Sequence, residues 1–593
     1  GYILIDSFLI KYKDKIKFVK ESYREAYTLG IVIIIGILGL TLIGKNIFSI
    51  LGEIWIRIFH PWGTARIGLT VAENAQPYLV DWIGQSGLIL FWMFFIGSIL
   101  VGFEIANKFE NKKSKILFGT GWVILVSSIL FSRISPASLL NGTNFISQLF
   151  YIGGIILSII ILSKAYFSDK MKVDPKIALI LSWVLFSLVA GRASIRIFFV
   201  LSPVVAFMAA YFFLRLFNYV MSEERKKTLF SIVGVLLIIF ILAGIYVLYS
   251  SENIISVQAK GVGPIANYQW QGAMSWVREN TPEDGIFVHW WDYGFMVQEL
   301  GKRPTVTDGG HAIGYWDHLM GRYLLTTPFP KTAYSFMKTH EVSYLLIDPT
   351  DLGKYGAYSR IGSDDSGLDR FSGIPIMLLD PSQTVESVDG TLLIYSGGAV
   401  STDEDISYSL GDQKIFLPSE KSAIVGVIWK RASVSEVVAN FAQPVGVYYY
   451  NGQRYDIPLR YVYINNELRD YGNGVEAVLR IIPSFDGSTN INEIGSMIYL
   501  SPKVANGLFA QLYLLDDVFN NYKEIKIAHV EDDFVVGTLK SQGAPLNEFL
   551  YFQGLRAPLK IWKVDYPSNI VERPEFLELD GGYATLDNLE FTR

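Results

Sequence analysis

The chain has 593 residues, 51% of them hydrophobic, and a formal net charge of −5 at pH 7. Its mean hydropathy of +0.31 is too high for an ordinary soluble protein of this length, so a membrane protein is the first expectation. The absence of cysteine excludes disulfides and thiolate metal sites, and no basic stripe is wide enough to follow a phosphate backbone, so nucleic acid is not an expected partner.

The first ten residues, GYILIDSFLI, are mostly apolar and begin with Gly1 instead of Met. They resemble the tail of a hydrophobic segment and have no basic leader before them. We therefore expect the chain to lack an N-terminal part of a longer protein.

Seven stretches are apolar and long enough to be candidates for crossing a bilayer, which takes about 20 helical residues. They cover residues 27–48, 87–104, 116–131, 145–163, 177–190, 195–217 and 229–249. The sequence thus predicts a transmembrane region over residues 1–250, with a long loop at 51–86.

The connections between these stretches differ in their content of Lys and Arg. Residues 11–25, 107–115, 164–176 and 218–227 each carry several basic residues, which places these connections in the cytoplasm. Alternation then places the loop 51–86, the connection near Asn141, a turn at 191–192 and everything after Ser250 on the outer face. We expect a multi-pass protein of the cell membrane whose C-terminal domain is extracytoplasmic.

The segment 251–373 carries regularly placed charges and predicts a soluble α/β domain. Short β-rich runs at 285–290, 304–309 and 343–349 accompany helical segments such as 269–280. The segment 374–593 predicts a β-rich subdomain, because alternating aromatic and polar runs such as 445–464 and 559–566 are interrupted by one helical stretch near 502–516. The predicted fold class is a multi-span α-helical membrane region followed by a soluble mixed α/β domain with a β-rich subdomain.

The run Trp290-Trp291-Asp292-Tyr293-Gly294 follows the first predicted strand, and ligands of α/β layers bind beyond the carboxyl ends of strands. One interpretation is structural: the indoles fill a core and Asp292 caps the next helix. The other is functional: two indole N–H donors and one carboxylate converge on a small hydroxyl group. Both uses are compatible with the residues.

This WWDYG run, at the start of a soluble domain and after a multi-span region, resembles the signature of the catalytic subunit of oligosaccharyltransferase, most of all the single-subunit archaeal enzyme. The resemblance implies that Trp290, Trp291 and Asp292 hydrogen-bond the Ser or Thr of an Asn-x-Ser/Thr acceptor. A site built to hold a hydroxyl discriminates strongly against acceptors that lack one.

Two elements of the membrane region fit the same family. Thr70-Val71-Ala72-Glu73 matches its Thr-x-x-Glu element in an outer loop, whereas the similar run at 433–436 indicates a capping box in a soluble helix. Arg196 stands seven residues before Pro203 near the outer end of a span, as in the family. The resemblance implies that Glu73 holds the acceptor carboxamide or helps to anchor a metal. It also implies that Arg196 binds the donor pyrophosphate, for which snorkelling to the interface is the structural alternative.

Asp351 and Lys354 fit an Asp-x-x-Lys element of the family, and the resemblance assigns Lys354 to acceptor binding. Residues at i and i+3 share a helix face, so a surface ion pair is the structural alternative. The family usually has Met or Ile four residues after this lysine, where the chain has Tyr358.

Two features depart from the family pattern. The metal-binding Asp-x-Asp loop and a second acidic element of the family have no counterpart before residue 27. Three apolar stretches lie between Glu73 and residue 177, where the family pattern has about one, so either the count of spans is too high or the chain has an insertion. His60, His289, His311 and His318 have no spacing typical of a metal site, so structural roles are expected for them.

The sequence therefore predicts the C-terminal two-thirds of an oligosaccharyltransferase catalytic subunit. This glycosyltransferase would move an oligosaccharide from a dolichyl or other polyprenyl phosphate-linked donor to the Asn of Asn-x-Ser/Thr acceptors. Glu73 and Arg196 are the expected catalytic residues, and Arg196 also binds the donor. The expected acceptor-binding residues are Trp290, Trp291, Asp292 and Lys354.

The implied cofactor is a divalent cation, Mg²⁺ or Mn²⁺, for which Glu73 is one candidate ligand. The expected partners are the lipid-linked oligosaccharide, the acceptor polypeptide and membrane lipids. Two alternatives stay open. One is a related membrane glycosyltransferase that uses a polyprenyl-phosphate sugar, and the other is a non-catalytic membrane receptor with a peptide- or glycan-binding domain.

Overall fold

The computed structural model describes residues 2–11, 24–42, 66–169, 175–221, 232–261, 263–388, 390–410, 413–432, 441–487 and 491–583, together with residues 44, 46, 48–50, 52, 53 and 56. The chain divides into two compact units, Gly1–Val262 and Gly263–Arg593. His60 and the run at 433–436 lie outside the described residues.

The first unit is helical. Its helices are α1 Tyr2–Lys11, α2 Arg24–Leu42, α3 Arg66–Thr70, α4 Leu79–Ser86, α5 Leu88–Ala106, α6 Lys112–Phe131, α7 Phe145–Ser168, α8 Pro175–Ala193, α9 Phe198–Met221 and α10 Ile232–Gly261. Two 3₁₀ turns, Ala72–Asn74 and Ile195–Ile197, precede α4 and α9. Helix α10 continues past residue 250, where the sequence predicts the end of the membrane region.

Five helical segments of this unit are long and apolar enough to cross a membrane. They are Leu88–Ala106, Lys112–Phe131, Phe145–Ser168, Lys176–Ala193 and Ile195–Tyr219. The second to sixth predicted spans are thus confirmed as long apolar helices. The first and seventh fall on shorter apolar helices, Tyr27–Leu42 and Ile241–Val257, so a total of seven spans stays a prediction. Three of the five long helices lie between Glu73 and α8, as the sequence predicts.

The long helices are apolar on the outside as well as in the bundle. Ile156 and Ile160 of α7 are more than half exposed, as expected for a helix whose outer face contacts lipid.

Inside the bundle, α5 and α6 approach closely because Gly102 has no side chain. A Cβ atom at Gly102 would lie 1.9 Å from the buried indole of Trp122. Small residues at such contacts are typical of helix packing in membranes.

The second unit combines helices with sheets. Its helices are α11 Tyr268–Asn280, α12 Gly314–Met320, α13 Pro330–Thr339, α14 Asp351–Ile361, α15 Pro502–Ala505 and α16 Phe534–Ser541. Its strands are β1 Ile286–Val288, β2 Val342–Ile347, β3 Ile376–Leu379, β4 Val385–Ser387, β5 Gly390–Ser401, β6 Ile406–Leu410, β7 Gln413–Leu417, β8 Ala423–Ala432, β9 Val445–Tyr450, β10 Gln453–Ile464, β11 Glu467–Asp470, β12 Val475–Phe485, β13 Ile491–Leu500, β14 Ile525–Glu531, β15 Leu550–Tyr551, β16 Leu555–Arg556 and β17 Leu559–Val564.

A four-stranded sheet has the order β1-β2-β17-β14, in which β1 and β2 are parallel and β17 is antiparallel to both of its neighbours. The prediction of a strand at 304–309 is wrong, because Thr305 forms only an isolated parallel bridge with Phe287. Strands β14 and β17 come from the C-terminal segment predicted as a β-rich subdomain. That segment therefore returns to complete the first sheet.

The larger sheet has the order β11-β10-β9-β8-β5-β3-β13-β12-β15-β16, and β4 pairs with β5. An additional parallel pairing between β10 and β12 closes the path from β10 to β12 into a barrel. Its core includes the fully buried rings of Trp429, Tyr395 and Tyr448. The predicted strands at 445–464 and 559–566 are confirmed as the β9–β10 hairpin and β17. The helical stretch near 502–516 is confirmed as α15 and a helical turn at Ala510–Leu514.

Candidate functional site

The WWDYG residues lie at the carboxyl end of β1. Trp291–Tyr293 form a 3₁₀ turn, which leads into a helical turn at Gly294–Met296. The parallel strand β2 ends at Ile347, so the residues before α14 leave the sheet at the same edge. This edge brings the WWDYG run and the Asp-x-x-Lys element together, as expected for the carboxyl ends of neighbouring parallel strands.

Lys354 connects the two elements. Its ammonium lies 3.1 Å from the Asp292 carboxylate and donates a hydrogen bond of 3.1 Å to the Tyr293 hydroxyl. The ammonium also lies over the Tyr293 ring, 4.4 Å from its centroid. Because the Asp292 and Lys354 side chains are 28% and 32% exposed, this ion pair is open to a ligand. The Asp292 side chain caps no helix, so the capping interpretation is wrong.

Asp351 is a buried carboxylate that contacts Tyr293. It is 3% exposed and accepts hydrogen bonds from the Tyr293 hydroxyl, at 2.9 Å, and from the backbone N–H of Asp348, at 3.0 Å. Burial raises the pKa of Asp351 to about 8, and the charge of Asp348 adds to this rise. The alternative of a surface ion pair between Asp351 and Lys354 is wrong, because Asp351 is buried and fixes the orientation of Tyr293.

The two tryptophans have different environments. Trp290 is 2% exposed and packs against the fully buried ring of Tyr358, with ring centroids 5.3 Å apart. The indole N–H of Trp291 is buried and has no hydrogen-bond partner among the described residues, and the same holds for the Tyr358 hydroxyl. An unpaired buried donor costs free energy until a ligand or water satisfies it. Trp290 thus fits the structural interpretation, and Trp291 keeps a donor free.

His311 forms one wall beside Trp291, with ring centroids 4.4 Å apart. Its Nδ1 lies 2.7 Å from an oxygen of Asp317, which is 1% exposed. The hydrogen bond to Asp317 raises the pKa of His311, and burial raises the pKa of Asp317. No spacing in the sequence pointed to this pair, whose histidine lies in a turn of positive φ.

Glycine is required at the end of the WWDYG run by close packing. A Cβ atom at Gly294 would lie 2.4 Å from Cβ of Asp308 and 2.7 Å from the carbonyl oxygen of Thr307. Both distances are far inside van der Waals contact. The turn that carries Asp292 can approach the 304–309 segment only without a side chain at this position.

Glu73 and Arg196 are brought together within the first unit. The Ser194 hydroxyl donates to the Glu73 carbonyl oxygen at 2.7 Å, and the backbone N–H of Ile195 donates to the carbonyl of Ala75 at 3.0 Å. These bonds join the 3₁₀ turns that carry Glu73 and Arg196, whose side chains are both exposed. The two turns therefore lie side by side in the first unit.

Arg192 is a buried charge beside this pair that the sequence analysis missed. It is 5% exposed and donates hydrogen bonds of 3.1 Å to Ser132 and to Gln76. The prediction of a turn at 191–192 is wrong, since α8 continues through Ala193 and the chain reverses at Ser194. A charge at the end of an apolar helix is the signal that could have identified it.

The described residues contain no group of three or more His, Asp or Glu side chains arranged to hold a metal ion. Among the predicted histidines, His289 and His318 are buried and His311 pairs with Asp317. Glu73 offers one carboxylate, which is only part of a coordination sphere for a hard cation.

The chain is similar in sequence to several glycotransferases. The chain is 35% identical over 95 residues to dolichyl-phosphooligosaccharide-protein glycotransferase 1 of Pyrococcus furiosus, which is 16% of this chain and 10% of that protein. It is 22% identical over 354 residues to the stt3 subunit of dolichyl-diphosphooligosaccharide–protein glycosyltransferase of Schizosaccharomyces pombe, which is 58% of this chain and 42% of that protein. The chain resembles oligosaccharyltransferase catalytic subunits.

The matched regions span less than half the length of these two relatives. No family model matches the chain. The crystal structure of the Archaeoglobus fulgidus oligosaccharyltransferase tethered with an acceptor peptide containing the NVT sequon aligns with 78% of this chain and 56% of that one, at 12% identity and a TM-score of 0.37. The described helices make the chain a multi-pass membrane protein by length and composition.

Proposed function

We propose that the chain works in protein N-glycosylation as an oligosaccharyltransferase catalytic subunit. It would transfer an oligosaccharide from a dolichyl or other polyprenyl phosphate-linked donor to the Asn of Asn-x-Ser/Thr acceptors. In this proposal the WWDYG edge of the second unit binds the acceptor, and the Glu73–Arg196 pair of the first unit serves the reacting groups.

The observation that carries the proposal is the combination of a free indole N–H on Trp291 with an accessible carboxylate on Asp292. A hydroxyl group is both a donor and an acceptor, so it can accept from the indole while it donates to the carboxylate. Lys354 holds that carboxylate at 3.1 Å in a partly buried place. The Ser or Thr at position +2 of the acceptor supplies such a hydroxyl.

Glu73 and Arg196 have the chemistry for the other half of the reaction. The Glu73 carboxylate would accept hydrogen bonds from the acceptor carboxamide and orient its nitrogen. The Arg196 guanidinium would bind the donor phosphates with a bidentate fork, which stabilises the leaving group. A divalent Mg²⁺ or Mn²⁺ would add charge stabilisation there, with Glu73 as one oxygen ligand. The roles of Glu73 toward the carboxamide and of Arg196 toward the phosphates do not depend on that cation.

A binding assay on the full chain in nanodiscs tests acceptor recognition. We expect a peptide with Asn-x-Thr to bind at least about tenfold more tightly than one with Asn-x-Val, because one hydrogen bond to a charged group contributes ~1.5–3 kcal/mol. Valine has nearly the shape of threonine and lacks only the hydroxyl. We expect Asp292→Ala to remove this preference and to leave polyprenyl phosphate binding unchanged.

Asp284→Ala is the matched control, since Asp284 is an exposed carboxylate just before β1. It should bind both peptides as the unaltered chain does. Equal affinities for the Thr and Val peptides, or equal losses of peptide and polyprenyl phosphate in Asp292→Ala, would contradict the proposal. Peptide binding without any polyprenyl phosphate binding would favour a receptor, and the reverse would favour a glycosyltransferase with another acceptor.

We propose further that the second unit is extracytoplasmic and that the loop before α6 is cytoplasmic, following the distribution of basic residues. Because the chain has no cysteine, single cysteines report on sidedness without background. Ser387→Cys in β4 should react with a membrane-impermeant maleimide from outside intact cells. Lys112→Cys, at the start of α6 next to this loop, should react only after permeabilisation, and the opposite pattern would reverse the orientation.

A further inference from the structure

The second unit has another cleft, lined by neither the WWDYG residues nor Lys354. It has a volume of about 750 Å³, within the range of small-molecule sites. Phe329 lies at the start of α13, Tyr461 and Glu476 lie on strands β10 and β12, and Asn521 and Glu524 precede β14. Three separate parts of the unit therefore form its walls.

The apolar part of this cleft is aromatic. Phe519 is 38% exposed, and its ring meets the ring of Tyr461 edge-on, with centroids 5.9 Å apart. An exposed large aromatic ring in a concave place offers a flat apolar platform.

The polar part presents acceptors and amides. The Glu524 carboxylate accepts a hydrogen bond of 3.2 Å from the buried Tyr334 hydroxyl. Burial, with the charge of Glu524, raises the pKa of Tyr334, so this phenol stays a donor and fixes one carboxylate oxygen. The side-chain amides of Asn521 and Asn569 have no hydrogen-bond partner among the described residues. Two carboxylates, from Glu476 and Glu524, and the ammonium of Lys331 line the cleft, and the Glu476 carboxylate is paired with the Arg460 guanidinium at 2.9 Å.

We infer that this cleft binds a short neutral oligosaccharide, independently of the acceptor site. A pyranose ring has an apolar C–H face that suits the Phe519 platform and an edge of hydroxyl groups that suits amides and carboxylates. Because Glu476 is paired with Arg460 and the charges of Glu524 and Lys331 have opposite signs, the lining gives phosphates and other anions no net attraction.

A proline-rich peptide is the main competing occupant, since such peptides dock in aromatic-lined grooves. A proline helix has aliphatic side chains and no backbone N–H groups on its prolines, so it would leave most amides and carboxylates of the cleft without hydrogen bonds. Strand addition by a peptide is also disfavoured, because β10 and β12 already pair with each other at Tyr461 and Val478. The chemistry of the cleft thus favours the sugar.

Saturation-transfer NMR on the full chain in nanodiscs tests the inference, with chitotriose, mannotriose and maltotriose as probes. Nanodiscs avoid maltoside detergents, which would compete. We expect at least one trisaccharide to bind with a millimolar or lower Kd and Phe519→Ala to weaken it by about tenfold or more. Asn521→Ala should weaken the same sugar to a smaller extent.

Phe416→Ala is the control, because Phe416 is an exposed phenylalanine on the β6–β7 hairpin outside the cleft. It should leave sugar binding unchanged. No binding by any of the three sugars, unchanged binding in Phe519→Ala, or binding of a proline-rich peptide at this residue instead would overturn the inference. The Asn-x-Thr preference does not involve Phe519, so failure here leaves the proposed acceptor site standing.

Discussion

Replacing Gly294 by alanine is the sharpest test of how the acceptor edge is built. The added Cβ would lie 2.4 Å from Cβ of Asp308 and 2.5 Å from its Cα. Since carbon atoms pack at about 3.5–4.0 Å, the two segments must separate by roughly 1 Å. Backbone atoms cannot rotate out of the way, so the strain is shared by the WWDYG turn and the 304–309 segment.

Overpacking of this kind typically costs about 1–3 kcal/mol of unfolding free energy. Gly353 provides a matched control in α14, where an added Cβ meets no atom within 4 Å. Gly353→Ala should stabilise the protein by about 0.5–1 kcal/mol, because alanine is the better helix former. The two Gly→Ala substitutions should therefore shift stability in opposite directions, so that the two variants differ by about 1.5–4 kcal/mol.

The assay is thermal unfolding of the full chain in nanodiscs, combined with binding of the Asn-x-Thr peptide. Gly294→Ala should unfold several degrees below the unaltered chain and bind the peptide more weakly, since the turn carrying Asp292 has moved. Gly353→Ala should unfold at the same temperature or higher. If Gly294→Ala proves as stable as the unaltered chain, the close approach to Asp308 does not position this turn.

A double-mutant cycle of Lys354→Met with Asp292→Asn should give a coupling of about 1 kcal/mol in unfolding, and purely additive effects would show that the ion pair contributes nothing. Burial lowers the pKa of His340 to about 4 in the folded chain, whereas an ordinary histidine has a pKa of about 6.5. As the pH falls through this window, His340 is protonated in the unfolded chain before it is protonated in the folded one, so the folded state loses stability. The unaltered chain should thus lose more Tm in that window than His340→Phe, and parallel pH profiles would contradict this. Arg303→Lys should cost about 2 kcal/mol or more in denaturant unfolding, because its guanidinium donates to both oxygens of Thr281, at 2.9 and 2.6 Å; a cost below ~0.5 kcal/mol would refute it.

Local patterns predicted several elements of this protein. Apolar runs of bilayer length became long helices, and alternating aromatic and polar residues became the β9–β10 hairpin. The WWDYG run could be placed at the end of a strand because hydrophobicity, turn residues and chain direction are all encoded within a few residues. The prediction failed for residues 304–309. Their composition is β-rich, but the segment forms only one isolated bridge to β1 and no strand.

Side-chain partners of the candidate site were decided by tertiary structure. The spacing of Asp351 and Lys354 suggested a pair with each other, yet the fold buries Asp351 under Tyr293 and turns Lys354 toward Asp292. The tertiary structure also leaves the buried indole N–H of Trp291 without a hydrogen-bond partner among the described residues, because the side chains around it come from distant parts of the chain.

The sequence by itself determined which segments form long apolar helices and which strand precedes the WWDYG run, since both depend on neighbours along the chain. Only the tertiary structure decided that β14 and β17 return to the first sheet and that Ser194 joins the turns of Glu73 and Arg196. Contacts between distant segments depend on how buried surfaces fit together, and that fit has no local pattern in the sequence.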